Sequence, residues 1–145
     1  MVMSLLKKFA KNTFNRYSGN ADFLEAVCAA SALVAAADGT IDDSELEAAV
    51  EGMQNNSTLS AIYSGDEIES ELLKQVKKAK TISGRNQLKR ELEDVANREI
   101  QVRQDVYLVA ADVANQDGNI KTEEKRVLNN IASLLRVNGE QLLAA

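Results

Sequence analysis

Two stretches of this chain carry the same acidic phrase, and their residue types and spacing could hold a metal ion. Residues 38–45 read Asp-Gly-Thr-Ile, then three further residues and Glu, and residues 117–124 read Asp-Gly-Asn-Ile, then three further residues and Glu. Neither phrase contains a thiolate or an imidazole, so a cation bound there would have only oxygen ligands. Such ligands favour Ca²⁺, with Mg²⁺ and Mn²⁺ behind it. The repeated phrases therefore predict a divalent-cation site.

The expected metal ligands are carboxylates of the two phrases. They are Asp38, Asp42, Glu45, Asp117 and Glu124. The first phrase is the stronger of the two, because five carboxylates lie within the ten residues 38–47. Like charges at this density repel one another unless a cation neutralises them.

The phrase also matches the second half of an EF-hand loop. Asp38 would take the fifth position of that loop, Gly39 the sixth and Glu45 the twelfth. The first half does not follow, because Val34 and Val113 would stand at the first position, where a carboxylate is required. A full EF-hand is excluded. Each turn is then half a site, completed by other carboxylates or by the other turn.

The ends of the neighbouring helices explain much of each phrase without a ligand, because several of its residues are typical helix-capping residues. Gly39 and Gly118 are placed to end one helix in the left-handed conformation, and Asp42 with Glu45 is spaced as a capping box for the next. The Asp that begins each phrase is explained less well. It lies at the C-terminal end of a helix, where a negative charge costs roughly 0.3–1 kcal/mol. A bound cation would offset this cost, and so would an Asx-type hydrogen bond to the following turn.

The composition favours helices and argues against the common kinds of enzyme chemistry. The chain has 145 residues, with no Pro, no His, no Trp and one Cys. Without His, the usual acid–base relays, nucleophilic dyads and most transition-metal sites are excluded. Cys28 lies in an Ala- and Val-rich stretch and is predicted to be a buried core residue. A lone reduced Cys suits the cytoplasm.

The charges lie in blocks, and their sum of −5 argues against nucleic-acid binding. Residues 1–17 hold four bases and no acid, residues 38–71 hold ten acids and no base, and residues 74–90 hold seven bases and no acid. We interpret the second and third blocks as solvated helix faces that pair with each other across the fold. The first block belongs to a basic amphipathic helix, which either contacts anionic membranes weakly or packs its apolar face on the bundle.

The hydrophobic pattern predicts an all-α protein, an irregular bundle of about seven helices with two duplicated helix-turn-helix halves. We divide it into a basic amphipathic N-terminal helix (1–19) and a helical domain (20–145). Within the domain, helices are expected over about 21–37, 43–53, 66–80 and 122–136. A break is expected at Ser83-Gly84, and the helical pattern over 86–115 is divided into two helices near Asn97. Asn138 is expected to begin a short last helix. No apolar run approaches the roughly 20 residues of a membrane span, and the start of the chain does not read as a secretory signal.

At these positions the chain resembles the TerB family of tellurite-resistance proteins. The resemblance lies in the Ala- and Val-rich helix that runs into residues 37–45, in its second occurrence over residues 110–120, and in the stretch over residues 124–135. A short apolar start over residues 3–6, ahead of a basic helix, agrees with it. The likeness covers nearly the whole chain.

The resemblance implies an all-helical, cytoplasmic and non-enzymatic protein with an acidic surface, peripheral to the inner membrane and linked to tellurite and stress resistance. It also implies protein partners, namely a TerC-like membrane protein and a TerD-like calcium-binding protein. The acidic positions of the family fall on Asp38, Glu45, Asp117 and Glu124. Lys121 stands where a further acid is expected, which weakens the second turn as a cation site.

Three hypotheses for function follow. The first is a binding module whose acidic turns hold a divalent cation and which links to a membrane-associated complex. The second is a structural protein–protein adaptor, in which the turns serve only as helix caps and a docking surface. The third, an enzyme that reduces tellurite, lacks a redox thiol pair and a phosphate-binding loop in the sequence.

Overall fold

The structure is a computed structural model, and it describes residues 21–116 and 118–144. This part of the chain folds into eight helices and contains no strand, which confirms the expected all-α bundle of about seven helices. The helices are α1 (Ala21–Ala35), α2 (Asp43–Gln54), α3 (Ser57–Ile62), α4 (Gly65–Ala79), α5 (Ile82–Asp94), α6 (Ile100–Ala114), α7 (Thr122–Leu135) and α8 (Gly139–Ala144). The amphipathic helix expected over residues 1–19 lies outside the described residues, and so does Asp117. The domain division at residue 19 stays a prediction.

Helix α1 is the centre of the bundle. Beyond Glu25 it is almost entirely apolar, as expected for a helix surrounded by others, and it packs against α4, α5, α6 and α7. Phe23, Val27 and Ala30 are fully buried, and so is Cys28, as the sequence predicted. The many alanines of α1 keep its surface narrow, so that the neighbouring helices can approach it closely from several sides.

Local side-chain chemistry sets where several helices begin. The side chains of Asn56 and Thr81 cap α3 and α5, and Ser64 forms a capping box with Glu67 at the start of α4. At the last helix the backbone N–H of Gln141 donates to the side chain of Asn138 at 3.0 Å, as the sequence predicted.

The break expected at Ser83-Gly84 is wrong by a few residues. Helix α4 ends at Ala79 and α5 begins at Ile82, so that Gly84 lies inside the first turn of α5. The physical reason is that the hydroxyl of Thr81 accepts a hydrogen bond from the backbone N–H of Gly84 at 2.9 Å and so starts the helix earlier. Gly84 is buried and lies too close to the backbone of Lys78, at the end of α4, for a side chain to fit.

The two repeated phrases occupy equivalent turns. The first lies between α1 and α2, and the second lies between α6 and α7. Gly39 has a φ of 94° and Gly118 a φ of 84°, which confirms that both end their turns in the left-handed region. Each donates its backbone N–H to the carbonyl three residues earlier at 2.9 Å. Because α1 packs along α6, both turns can reach the same end of the bundle.

None of the helices over residues 21–144 is both long and apolar enough to cross a lipid bilayer.

Candidate functional site

The two acidic turns meet at one cavity of about 250 Å³. Its wall contains Asp38 and Glu45 from the first phrase and Lys121 and Glu124 from the second. Three of the five sequence-predicted ligands are therefore brought together, across a long separation in the chain. The remaining lining residues are Val34, Ala35, Ser44, Ala48, Val113, Ala114 and Gln116.

The carboxylate of Asp38 makes the Asx-type hydrogen bond that would offset its charge without a bound cation. Its Oδ1 accepts a hydrogen bond from the backbone N–H of Thr40 at 3.2 Å, which is an Asx-type turn. This bond offsets part of the cost of a negative charge at the C-terminal end of α1. The side chain is exposed and borders the cavity, so both the local role and a ligand role are open to it.

Asp42 acts as the N-cap of α2. Its Oδ1 accepts hydrogen bonds from the backbone N–H of Glu45 at 2.7 Å and from the hydroxyl of Ser44 at 2.8 Å. The bond from Glu45 is the main reason that the pKa of the Asp42 carboxyl is held below its usual value, with the Ser44 hydroxyl second. The side chain is exposed and is not part of the cavity wall. A metal-ligand role for Asp42 stays a prediction.

We expect Asp42→Ala to lower the thermal midpoint of unfolding at neutral pH, and to lower it less once the pH falls below the folded-state pKa of this carboxyl. The reason is that a lowered carboxyl pKa stabilises the fold above the usual value of 3.8, and this contribution is lost as the pH falls through the folded-state value. The control is Asp42→Asn, which keeps an acceptor oxygen without a titrating charge. Equal losses for Ala and Asn at neutral pH would contradict the capping role.

Glu45 carries the strongest sign of crowded negative charge. Its pKa is raised, first because the side chain is partly buried, and then by the negative charges of Asp42 and Asp38. The positive charge of Lys121 acts in the opposite direction. The folded protein therefore keeps this proton to a higher pH than the unfolded chain does, and ionised Glu45 opposes folding at neutral pH. A nearby cation would remove that penalty.

Glu124 holds the corresponding place in the second turn. Its Oε1 accepts a hydrogen bond from the backbone N–H of Lys121 at 3.0 Å, which closes the first turn of α7. Its second oxygen remains available to the cavity, since carboxylates accept at both oxygens. Glu45 in α2 and Glu124 in α7 thus approach the cavity from two different helices.

Two further residues shape the cavity in ways that the sequence did not predict. The positive charge of Lys121 adds slightly to the lowering of the Asp42 pKa and limits the rise of the Glu45 pKa, so a residue of the second turn acts on the carboxylates of the first. The side-chain amide of Gln116 donates to the carbonyl of Ala48 at 2.7 Å and ties the end of α6 to α2. A polar residue after an apolar helix gives no sequence signal for such a long-range bond.

The donor atoms of the cavity suit a cation that prefers oxygen ligands, but its carboxylates do not form a complete coordination shell. Asp38, Glu45, Glu124 and the amide oxygen of Gln116 are all hard oxygen donors. No group of three acidic, His or Cys side chains within the described residues is close enough to hold a metal ion. Water or further oxygen groups would have to complete the coordination of Ca²⁺, which takes about 6–8 oxygens.

The cysteine offers no chemistry of its own. Burial raises the pKa of the Cys28 thiol well above its usual range, and the negative charges of Glu71 and Glu91 raise it further. The thiol therefore stays protonated at physiological pH, and a protonated, buried thiol is a poor nucleophile.

The comparison with protein families decides where the chain belongs. The family model described as tellurite resistance protein TerB matches residues 24–145, a span that includes both acidic turns and the cavity between them. This chain is a member of the TerB family. The TerB match covers every residue that lines the cavity, so the site is part of the family domain. The comparisons with curated proteins and with solved structures gave no match.

Proposed function

We propose that this TerB protein is a non-enzymatic binding module that takes up a divalent cation, Ca²⁺ first, in the cavity between its two acidic turns. One observation carries the proposal: acidic residues from the two repeated phrases, far apart in sequence, line the same cavity. Caps alone give no reason for two turns to bring their carboxylates to a common space.

The charge balance supports the same proposal. Partial burial and the negative charges of Asp42 and Asp38 raise the pKa of Glu45. Asp38, Glu45 and Glu124 line the cavity without converging on one point, so they would bind the ion partly through water molecules, and the ion would supply the positive charge that these groups lack. Lys121 already provides one positive charge, so we expect weak affinity compared with a site made only of acids.

The position of the acids suggests how binding would reach a partner. Glu45 lies in the first turn of α2, and Glu124 lies in the first turn of α7. A shared cation would therefore fix these two helix ends relative to each other. We propose that a TerC-like membrane protein or a TerD-like calcium-binding protein reads this state from the cytoplasm, beside the inner membrane, with residues 1–17 adding weak contact with anionic lipid.

The second candidate is an adaptor that binds no metal. It is favoured by the hydrogen bonds of the turns, because Asp38, Asp42 and Glu124 each accept a backbone N–H within their own turn. In this account the carboxylates order the turns, and their negative surface docks a basic partner.

Calorimetric titration of metal-free protein with Ca²⁺ separates the two candidates. We expect measurable binding, weakened about tenfold or more by Glu45→Gln and by Asp38→Asn, because each removes one charged ligand. The matched control is Asp43→Asn, which removes the same charge from the same turn at an exposed side chain outside the cavity wall. Equal weakening by all three variants, or no binding at millimolar Ca²⁺, would favour the adaptor.

A further inference from the structure

A second, larger cavity of about 680 Å³ carries the opposite charge. Four basic side chains line it, Lys80, Arg85, Lys89 and Arg126, and no acidic side chain is among its lining residues within the described part of the chain. They come from the end of α4, from α5 and from α7. The cavity shares no lining residue with the acidic one.

The floor of this basic cavity is apolar. It consists of side chains from the end of α1, the first turn, α4 and α7: Leu33, Ala36, Ala37, Ile41, Ala79 and Val127. The volume lies within the roughly 300–1,000 Å³ of pockets that hold small organic molecules. A space of this size, with a charged rim over an apolar floor, fits an amphipathic ligand.

The partial charges of helix ends and local ion pairs explain the positions of only some of the basic residues in this region. Basic residues are favoured at the end of α4, where the last carbonyls of the helix carry partial negative charge. Two other bases of this region pair with acids, Lys74 with Glu71 at 3.9 Å and Lys78 with Glu91 at 3.0 Å. Neither of these paired lysines lines the cavity.

The remaining bases need a different explanation. Lys89 lies two turns into α5, and Arg126 comes from α7, so neither belongs to the end of α4. Three separate elements thus direct positive charge to one space. Like charges so arranged repel one another, and an anion in the cavity would relieve that repulsion.

Arg85 is held ready to bind. One of its guanidinium N–H groups donates to the carbonyl of Ala79 at 2.9 Å, which fixes the side chain at the C-terminal end of α4. Arg85 and Lys89 are also half-buried, so they are less hydrated than free surface charges. A guanidinium fixed in this way keeps further donors for a planar, multiply charged anion.

We propose that this cavity binds a phosphomonoester with an apolar body, with the phosphate among the four bases and the body over the apolar floor. Phosphate matches two guanidinium groups and two ammonium groups better than a single negative charge would, since it is doubly charged and accepts bidentate bonds from Arg. The basic segment 1–17 does not complement the cavity, because it has four bases and no acid.

The test is a residue-resolved NMR titration of the full chain with three probes. They are dihexanoyl phosphatidate below its micelle concentration, inorganic phosphate, and vesicles of phosphatidylcholine with phosphatidate. We expect saturable shifts at the amides of Ile41, Lys80, Lys89 and Val127 with the soluble phosphatidate, and binding of inorganic phosphate about tenfold weaker because it cannot use the apolar floor.

Matched variants separate a built site from general positive charge. Arg126→Gln is expected to weaken phosphatidate binding about tenfold, whereas Lys125→Gln, an exposed neighbour with the same charge change outside the cavity, should leave it nearly unchanged. Vesicle binding with the same dependence on Arg126 would identify a membrane lipid as the source. Phosphatidate binding without vesicle binding would identify a free phosphate ester.

Three results would overturn the proposal. The first is equal weakening of phosphatidate binding by Arg126→Gln and Lys125→Gln. The second is the absence of a saturable shift around the cavity with any probe. The third is binding of a poly-glutamate peptide that depends on Arg126 while the phosphatidate does not bind, which would assign the cavity to an acidic protein segment.

Discussion

Replacing Gly84 by alanine is expected to lower the free energy of unfolding by about 3 kcal/mol. A Cβ atom at this position would clash with the backbone carbonyl oxygen of Lys78 and would lie 2.6 Å from its carbonyl carbon. Neither atom belongs to a flexible side chain, so the start of α5 would have to move away from the end of α4. That movement would also break the hydrogen bond from Gly84 to the Thr81 hydroxyl.

Urea unfolding followed by circular dichroism measures this effect. The matched control is Gly65→Ala in the first turn of α4, where the nearest neighbour of the new Cβ would be the flexible side chain of Gln54, with its amide nitrogen at 3.2 Å. We expect that variant to be neutral or more stable by up to about 1 kcal/mol, because alanine restricts the unfolded chain. Similar stabilities for the two variants would show that α4 and α5 do not approach as closely as the structure describes.

Replacing Lys121 by glutamate is expected to strengthen Ca²⁺ binding roughly tenfold or more. The change removes the positive charge that now acts on Glu45 and Asp42 and adds a carboxylate to the wall of the acidic cavity. The hydrogen bond that Glu124 accepts at this position comes from the backbone of Lys121, so the turn can keep its shape. In the absence of metal the same variant should be less stable, because four carboxylates would then share the cavity.

The control for this prediction is Lys125→Glu, which makes the same change of charge one turn further along α7. Its side chain is exposed and lies outside the cavity wall. Calorimetric titrations of both variants with Ca²⁺, at the same ionic strength, compare a local with a general charge effect. If Lys125→Glu strengthened binding as much as Lys121→Glu, the cavity would not be the place where the ion is held.

Much of the fold could be predicted from the sequence, because local signals determine it. The order of the helices follows from apolar patterns such as those of α1 and α7. The two equivalent turns follow from the glycines at positions 39 and 118. The start of α5 was misplaced, because Gly84 looks like a chain breaker and its real role depends on the distance to Lys78 in another helix. A single sequence carries no measure of such distances.

The candidate sites divide in the same way. Residue type and spacing, which are local, predict Asp38, Glu45 and Glu124 as ligands, and the structure places all three in the wall of one cavity. Their convergence on one cavity and the effect of Lys121 on Glu45 depend on how α1 packs against α6. The basic cavity was visible in the sequence only as a block of bases over residues 74–90, which gave no sign that Arg126 would join it.

The most direct test of the central claim, that the two acidic turns form one cation site, is a residue-resolved NMR titration of the metal-free wild-type protein with Ca²⁺. We predict that the amide signals of Glu45 and Glu124 shift together and follow a single dissociation constant with one ion bound per chain. Independent dissociation constants for the two turns, shifts in only one of them, or no shift at millimolar Ca²⁺ would contradict it.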